Sequence, residues 1–225
     1  MKKILLLTTI ISSIFGFTSC SYDNFDAPSS MLTGKVVYDG EPVSVRSGSS
    51  EFALYQDGYA LHNSIPVYIN QDGSYSAVLF DGEYKLVRVG NAPWERPNND
   101  TIIINVKGNT VQDIPVIPYY IIKDYSFTRN GNKVTAKFKV VKVSESATLD
   151  RVRIYLGETL LVDNNNRSAY ESIYEADLDF TQENTAEIEI PESLLNEDFI
   201  YARLGVKSNQ SSEYCYSQST KIDLK

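Results

Sequence analysis

The sequence predicts an all-β protein, two β-sandwich domains behind an N-terminal export signal. Three observations carry that prediction. From Leu32 onward apolar and polar residues alternate in short runs, with no sustained helical period. Turn pairs punctuate those runs at Asp39-Gly40, Asp57-Gly58, Asp72-Gly73, Asp81-Gly82 and Asn130-Gly131, and Asp-Gly and Asn-Gly suit tight hairpins because both residues tolerate positive φ. Ahead of the runs stands a basic, then apolar, then small-residue opening that ends at Cys20.

That opening is read first. Lys2 and Lys3 precede an uncharged stretch from Ile4 to Phe17. Its length suits a signal peptide and is short for a membrane span. Thr18-Ser19-Cys20 resembles the lipobox of bacterial lipoproteins, although an aliphatic residue is commoner than Phe17 at its place. The resemblance implies a signal peptide over 1–19, cleavage before Cys20, and diacylglycerol on the Cys20 sulfur. Several acyl chains make such an anchor stable, at about 0.8 kcal/mol per buried methylene. Residues 20–30 then form a tether: Ser21 to Ser30 is Asp-rich, holds Pro28 and has little to bury. Its acidic start resembles the surface-export signals of Bacteroidetes lipoproteins; a plain solvated linker has the same composition. The expected location is the outer membrane, lipid-anchored and exposed at the cell surface.

Charge and cysteine content narrow the function classes. The chain has a net charge of −8, and removal of Lys2 and Lys3 takes it to −10. Such a protein repels phosphate backbones, and no Lys/Arg patch is interleaved with aromatics, so nucleic-acid partners are not expected. With Cys20 lipidated, Cys215 has no intramolecular partner. No disulfide framework is available, and the domains must be held by their cores. Cys215 lies in an alternating stretch and reads as a buried, inert thiol.

The first domain is assigned to 31–121. Leu32-Thr-Gly-Lys-Val-Val is a strand and Asp39-Gly-Glu-Pro-Val its turn; Phe52-Ala-Leu-Tyr is a second strand. Tyr75, Ala77 and Leu79 alternate, as do Tyr84 and Leu86, and Thr101 to Val106 closes the set. Gly34, Val36, Gly40, Pro42, Val43, Asp72, Gly73, Tyr75, Gly82, Tyr84 and Leu86 fall at the places that recur in carboxypeptidase-regulatory or transthyretin-like sandwiches. That resemblance concerns a fold and brings no catalytic group. Pro115 and Pro118 interrupt pairing, so Val116 to Lys123 reads as a stiff crossing, with the junction near Ile121 and Tyr119 and Tyr120 packed into it.

The second domain is assigned to 122–225. Val134, Ala136, Phe138 and Val140 alternate with polar residues, as do Val152, Ile154 and Leu156, then Ala186, Ile188 and Ile190. Ala202, Leu204 and Val206 alternate with Tyr201 and Arg203. Tyr170 to Asp179 fits either a strand or a short helix. This run of short strands suits an immunoglobulin-like sandwich, and Tyr201 to Asn209 with Tyr216-Ser-Gln-Ser resembles the last hairpin of fibronectin type III modules. Over nearly its whole length the chain resembles an uncharacterised family of two-domain Bacteroidetes lipoproteins encoded near SusC/SusD-like glycan-uptake systems. Cys20 with Tyr22 to Pro28, Leu32-Thr-Gly-Lys-Val, Leu79 to Tyr84 and Asp113 to Tyr119 carry that resemblance. It implies an accessory role beside SusC/SusD-like outer-membrane proteins and a polysaccharide or oligosaccharide partner.

The residues offer little for catalysis. His62 is the one histidine, and no G-x-S-x-G elbow is present for a hydrolase triad. One histidine and one thiol do not build a zinc site. Asp163-Asn-Asn-Asn-Arg-Ser starts like a calcium loop but puts Arg167 and Ser168 where a ligand and a glycine belong, so it reads as a polar turn. No enzyme activity, metal or cofactor is expected. Trp94 sits in a Pro-flanked loop from Gly90 to Asp100, long enough to suggest a role. One reading offers its ring to a sugar, with Arg96, Asn98 and Asn99 binding hydroxyls and Tyr55 and Tyr59 extending the surface. The other folds Trp94 back as a plug at the sandwich end. Asp100-Thr101-Ile102 resembles a Bacteroidetes O-glycosylation motif, and Thr101 also suits an ordinary strand. The function expected is a non-catalytic carbohydrate-binding accessory lipoprotein; the alternative is a docking subunit of an outer-membrane complex that binds no sugar.

Overall fold

The computed structural model describes residues 26–58, 61–97 and 101–225. The signal peptide, Cys20 and the first part of the tether lie outside them. The first domain holds β1 (Ser30–Tyr38), β2 (Glu41–Pro42), β3 (Glu51–Tyr55), β4 (Ile65–Tyr68), β5 (Ser74–Leu79), β6 (Gly82–Val89), β7 (Thr101–Val106), β8 (Thr110–Val111) and β9 (Ile114–Pro115). One of its sheets is built around β1, which pairs antiparallel with β2 and β5 and parallel with β8 and β9. The other runs β4-β3-β6-β7. The second domain holds β10 (Tyr120–Asn130), β11 (Lys133–Lys142), β12 (Leu149–Gly157), β13 (Ala169–Ile173), β14 (Asn184–Glu189), β15 (Phe199–Ser208), β16 (Tyr214–Tyr216) and β17 (Thr220–Asp223). Its sheets are β10-β11-β14 and β13-β12-β15-β16, with β17 also on β15. The protein is all-β, in two domains. The ambiguous stretch after Tyr170 resolves into β13 and a short 3-10 turn, Glu175–Asp177.

Period-two patterning does what it predicts. Tyr75 and Leu79 are buried on β5, Tyr84 and Leu86 on β6, and Val134, Ala136, Phe138 and Val140 on β11. The side chains between them face water or a neighbouring element. The turn pairs also act as expected at β1–β2. Asp39 has φ 53° and Gly40 φ 79°, the two left-handed residues of a type I′ connection, which places Tyr38 opposite Glu41.

The two domains share one buried apolar cluster that runs from Leu32 to Leu224. Trp94, Val116 and Tyr120 carry it across the joint. Backbone bonds seal the crossing: Tyr119 N donates to Pro93 O at 3.0 Å and Glu95 N to Ile117 O at 2.9 Å. Tyr120 is buried and Tyr119 packs against the cluster, as the sequence suggests.

Arg203 departs from the sequence expectation. Alternation on β15 sends it away from the sandwich core, which normally means solvent. Here it is fully buried, because the first domain covers the outward face of its sheet. Its guanidinium donates to Ser217 O and Val45 O, each at 2.9 Å, to Gln71 O at 3.2 Å and to Val162 O at 3.3 Å. Val45 and Gln71 belong to the first domain, Ser217 and Val162 to the second. The guanidinium carbon also lies 4.2 Å from the Tyr216 ring centroid, a cation–π geometry. Burial pulls the Arg203 pKa down to about 10, so the side chain stays charged at neutral pH. Around it, Arg46 pairs with Glu213 at 2.8 Å, and Gln71 Nε2 donates to Leu160 O at 2.7 Å and to Ser219 Oγ at 2.8 Å. Arg203, Arg46 and Gln71 therefore tie the two domains together beside a groove between them.

Candidate functional site

That groove lies where the β1–β2 hairpin leans over the second domain. Its volume is about 610 Å³, inside the range of roughly 300–1,000 Å³ usual for ligand pockets, and domain joints are common places for them. Three separate segments build it.

The hairpin supplies Tyr38, half-buried, and Glu41, exposed. Their cross-strand pairing puts both on one face. β10 supplies Lys123, Asp124 and Tyr125. Its register against β11 slips between Lys123 and Ser126, and Asp124 has φ 48°. This is a β-bulge, which re-aims side chains locally. It leaves Asp124 exposed and accepting from Lys139 Nζ at 2.8 Å. That hydrogen bond, and then the ammonium charge, holds the Asp124 carboxyl below its usual range. The β16–β17 connection supplies Gln218, whose backbone N–H donates to the Tyr125 hydroxyl at 3.1 Å. Gln218 Nε2 donates to Ser44 Oγ at 2.6 Å, so amide, tyrosine and the first domain are tied together. Val43, Ile121, Ile122 and Cys215 form an apolar floor.

The lining offers ring surface together with hydrogen-bonding groups. Tyr38 and Tyr125 offer apolar ring surface with polar tips. Glu41 and Asp124 accept hydrogen bonds, Lys123 donates them, and the Gln218 side-chain oxygen accepts. Cys215 is buried, and desolvation pushes its thiol up to about 12, so it is a protonated structural group as the sequence suggests. The hydroxyl of Ser217 accepts from Leu204 N and donates to Gln218 O. No lining residue pairs a nucleophile with a base. Among the described residues no group of three or more His, Cys, Asp or Glu is placed to hold a metal ion.

The residues singled out from sequence lie elsewhere. Trp94 is 3% exposed and forms an antiparallel bridge with Pro118. Its ring completes the core at the joint and does not face a sugar, so the stacking reading is corrected in favour of the plug. Exposing a large apolar side chain costs about 1.5–3 kcal/mol, which keeps the ring inside. Arg96 is exposed on the rim of a separate cavity of about 140 Å³ beside Trp94. Tyr55 is half-buried and pairs with Lys85, whereas the Trp94 loop follows Val89 at the other end of β6. The fold therefore does not bring Tyr55 to Trp94. Tyr59, Asn98, Asn99 and Cys20 lie outside the described residues. Thr101 opens β7 with its side chain exposed, and His62 lies in an exposed loop. Asp163 caps its own loop, accepting from the backbone N–H groups of Asn165 and Asn166 at 2.7 and 3.0 Å; it is the polar turn expected.

Residues 30–117 match the family described as "Protein of unknown function (DUF3823) N-terminal domain", and residues 120–221 match "Domain of unknown function (DUF3823_C)". A DUF3823 protein of Bacteroides ovatus is 62% identical, with TM-score 0.84, covering 87% of this chain and 100% of that one. The chain belongs to the DUF3823 family. A DUF3823 protein of Parabacteroides merdae is 30% identical with TM-score 0.80, over 88% of this chain and 100% of the other. A Bacteroides uniformis structure named "putative carbohydrate binding protein" shares the fold, at 19% identity and TM-score 0.73, over 88% and 100%. No curated protein matches the chain. The two family regions coincide with the two domains, and the break between them falls at the crossing beside Pro118.

Proposed function

We propose that this DUF3823 protein is a non-catalytic lipoprotein, anchored through Cys20 at the outer-membrane surface, that binds polysaccharide in the interdomain groove. In this reading it serves a SusC/SusD-like uptake system as an accessory subunit. The groove is the observation that carries the proposal: two tyrosine rings, two carboxylates and an amide converge on one open trough. Sugar rings present apolar C–H faces to aromatics and hydroxyls to polar groups, and this lining matches both demands. The name given to the Bacteroides uniformis relative lends support from the same fold. Affinity electrophoresis of the protein against plant and host polysaccharides, such as xylan, mannan, mixed-linkage β-glucan and mucin glycans, tests it. Retardation by at least one, weakened about tenfold or more by Tyr125→Ala, is expected. No retardation by any of them would sink the proposal.

A second reading has its own observation. Leu61, Ile65, Val78 and Phe80 are 75%, 38%, 52% and 45% exposed around an apolar pocket of about 490 Å³ that also touches Pro28. Clustered exposed apolar side chains of this kind suit a protein interface. A stable membrane partner recovered by co-purification, with no glycan retained, favours a docking subunit instead.

A further inference from the structure

The first sandwich is open at one end, and the chain enters the fold at that opening. β4 and β5 are joined by a turn and each is the outer strand of its own sheet. Near the turn they are held together: Ile69 bridges Tyr75, and Asn70 N donates to Ser74 O at 2.8 Å. Farther out each strand follows its own sheet, Ile65 pairing with Leu54 and Leu79 with Ser30. The gap between them is the pocket of about 490 Å³. Its floor is Leu79 and Tyr84, both buried. The Tyr84 hydroxyl donates to Phe80 O at 3.1 Å, so the ring presents its apolar surface. The rim is Leu61, Ile65, Val78 and Phe80, all exposed.

Two features set this mouth apart. Among the described residues no charged side chain lines it, and Gln56 and Asn63 are its polar members. The carboxylates next to it in sequence are engaged: Asp57 pairs with Lys85, and Asp81 accepts from Ser30 Oγ and from Gly108 N. The other feature is its place in the chain. Pro28 lines it, two residues before β1 begins. Cys20 stands eight residues ahead of Pro28. An extended chain spans at most about 3.6 Å per residue, so the Cys20 backbone lies within about 30 Å of the mouth. Whatever surface Cys20 is fixed to is presented to this mouth at high effective concentration.

We infer that the mouth faces the bilayer that holds Cys20, with its rim in the lipid interface and hydrocarbon in the pocket. This rests on the lipid anchor of the proposed function and is independent of its glycan groove. Removal of apolar side chains from water is favourable in an interface as in a core. Interfacial binding strengthens with the apolar area buried, and an uncharged lining brings no ion into hydrocarbon. The acyl chains on Cys20 hold the protein at the membrane; the mouth would decide which end of the first domain points down.

The test uses the full-length protein made in a lipoprotein-processing bacterium and purified from its membranes. It is returned to phosphatidylcholine vesicles brominated along the acyl chains, which quench a tryptophan that touches them. Phe80→Trp puts the probe on the rim. Thr185→Trp puts it on the exposed face of β14 in the second domain. Trp94 is buried and gives both variants the same background. Phe80→Trp should lose most of its added emission, and Thr185→Trp should keep the value it has in unbrominated vesicles. Val78→Asp, a change at an exposed position, should restore the Phe80→Trp signal. Equal quenching at the two sites, or quenching at Phe80→Trp indifferent to Val78→Asp, overturns the inference and leaves the Cys20 anchor standing. A rim tryptophan shielded in native membranes but unquenched in brominated vesicles marks a protein occupant and overturns it too. An unaltered protein that fractionates as soluble, as Cys20→Ser should, overturns the anchor and the inference together.

Discussion

Replacing Arg203 by alanine should uncouple the two domains. The side chain is fully buried and is held by four backbone carbonyls, two from each domain. Truncation leaves all four acceptors facing a cavity. The two bonds at 2.9 Å are the strong ones, and a hydrogen bond to a charged group is worth about 1.5–3 kcal/mol net. Two such bonds give about 3–6 kcal/mol. The weaker pair and the lost contact with Tyr216 add to this, while relief of the Arg203 desolvation cost subtracts. A loss of about 3–5 kcal/mol is therefore expected, a large part of the stability of an ordinary domain. Urea unfolding followed by tyrosine and tryptophan fluorescence measures it. Cys215 supplies a second readout, since its thiol is buried on β16 at the floor of the groove and becomes more accessible to an aromatic disulfide reagent when the joint opens. Labelling should be slow in the unaltered protein and much faster in Arg203→Ala. Arg203→Lys keeps the charge but not the fork of donors, and should fall between. A loss below about 1 kcal/mol, with labelling of Cys215 unchanged, would refute the view that this arginine clamps the domains.

Two further predictions test other parts of the fold. Asp150 accepts from Lys207 at 2.7 Å and pairs with Arg151 at 3.0 Å; burial opposes its ionisation, but the hydrogen bonds from Lys207 and Arg151 outweigh that and lower its pKa. Its folded pKa lies below the unfolded value of about 3.9, so its stabilising contribution is complete above that value and is lost as pH falls through the folded pKa; Asp150→Asn should narrow the gap in melting temperature between pH 7 and pH 3. Gly34→Ala would drive a methyl group into the Gln112 backbone, and such overpacking costs about 1–3 kcal/mol or more; a chemical-denaturation midpoint equal to that of the unaltered protein would show that β1 and the β8–β9 connection are free to move apart.

What the sequence determined by itself is local. Alternation at Val134 to Val140 and at Ala202 to Val206 sets which side chains can share a face, because the strand period is two. Asp39-Gly40 sets the hairpin, because few other pairs take two positive φ values cheaply. The two-domain division was also legible, through the proline crossing and the alternation that restarts after it, and the family resemblance through Cys20 with Tyr22 to Pro28, Leu32 to Val36, Leu79 to Tyr84 and Asp113 to Tyr119. Tertiary structure decided the rest. Nothing in Gly90 to Asp100 says whether Trp94 turns in or out; Pro118 and the shared core settle that. Arg203 reads as a surface residue until the first domain covers its sheet, since the outward face of one sandwich is the inward face of the joint. The groove was not found from sequence because Tyr38, Tyr125 and Gln218 are far apart along the chain. One local trace was available. Ile121-Ile122 are both apolar and Lys123-Asp124 both polar, a double break in alternation where the bulge stands. A strand repeats every two residues and carries its own signature. A site made from three segments of two domains exists only once those domains are joined.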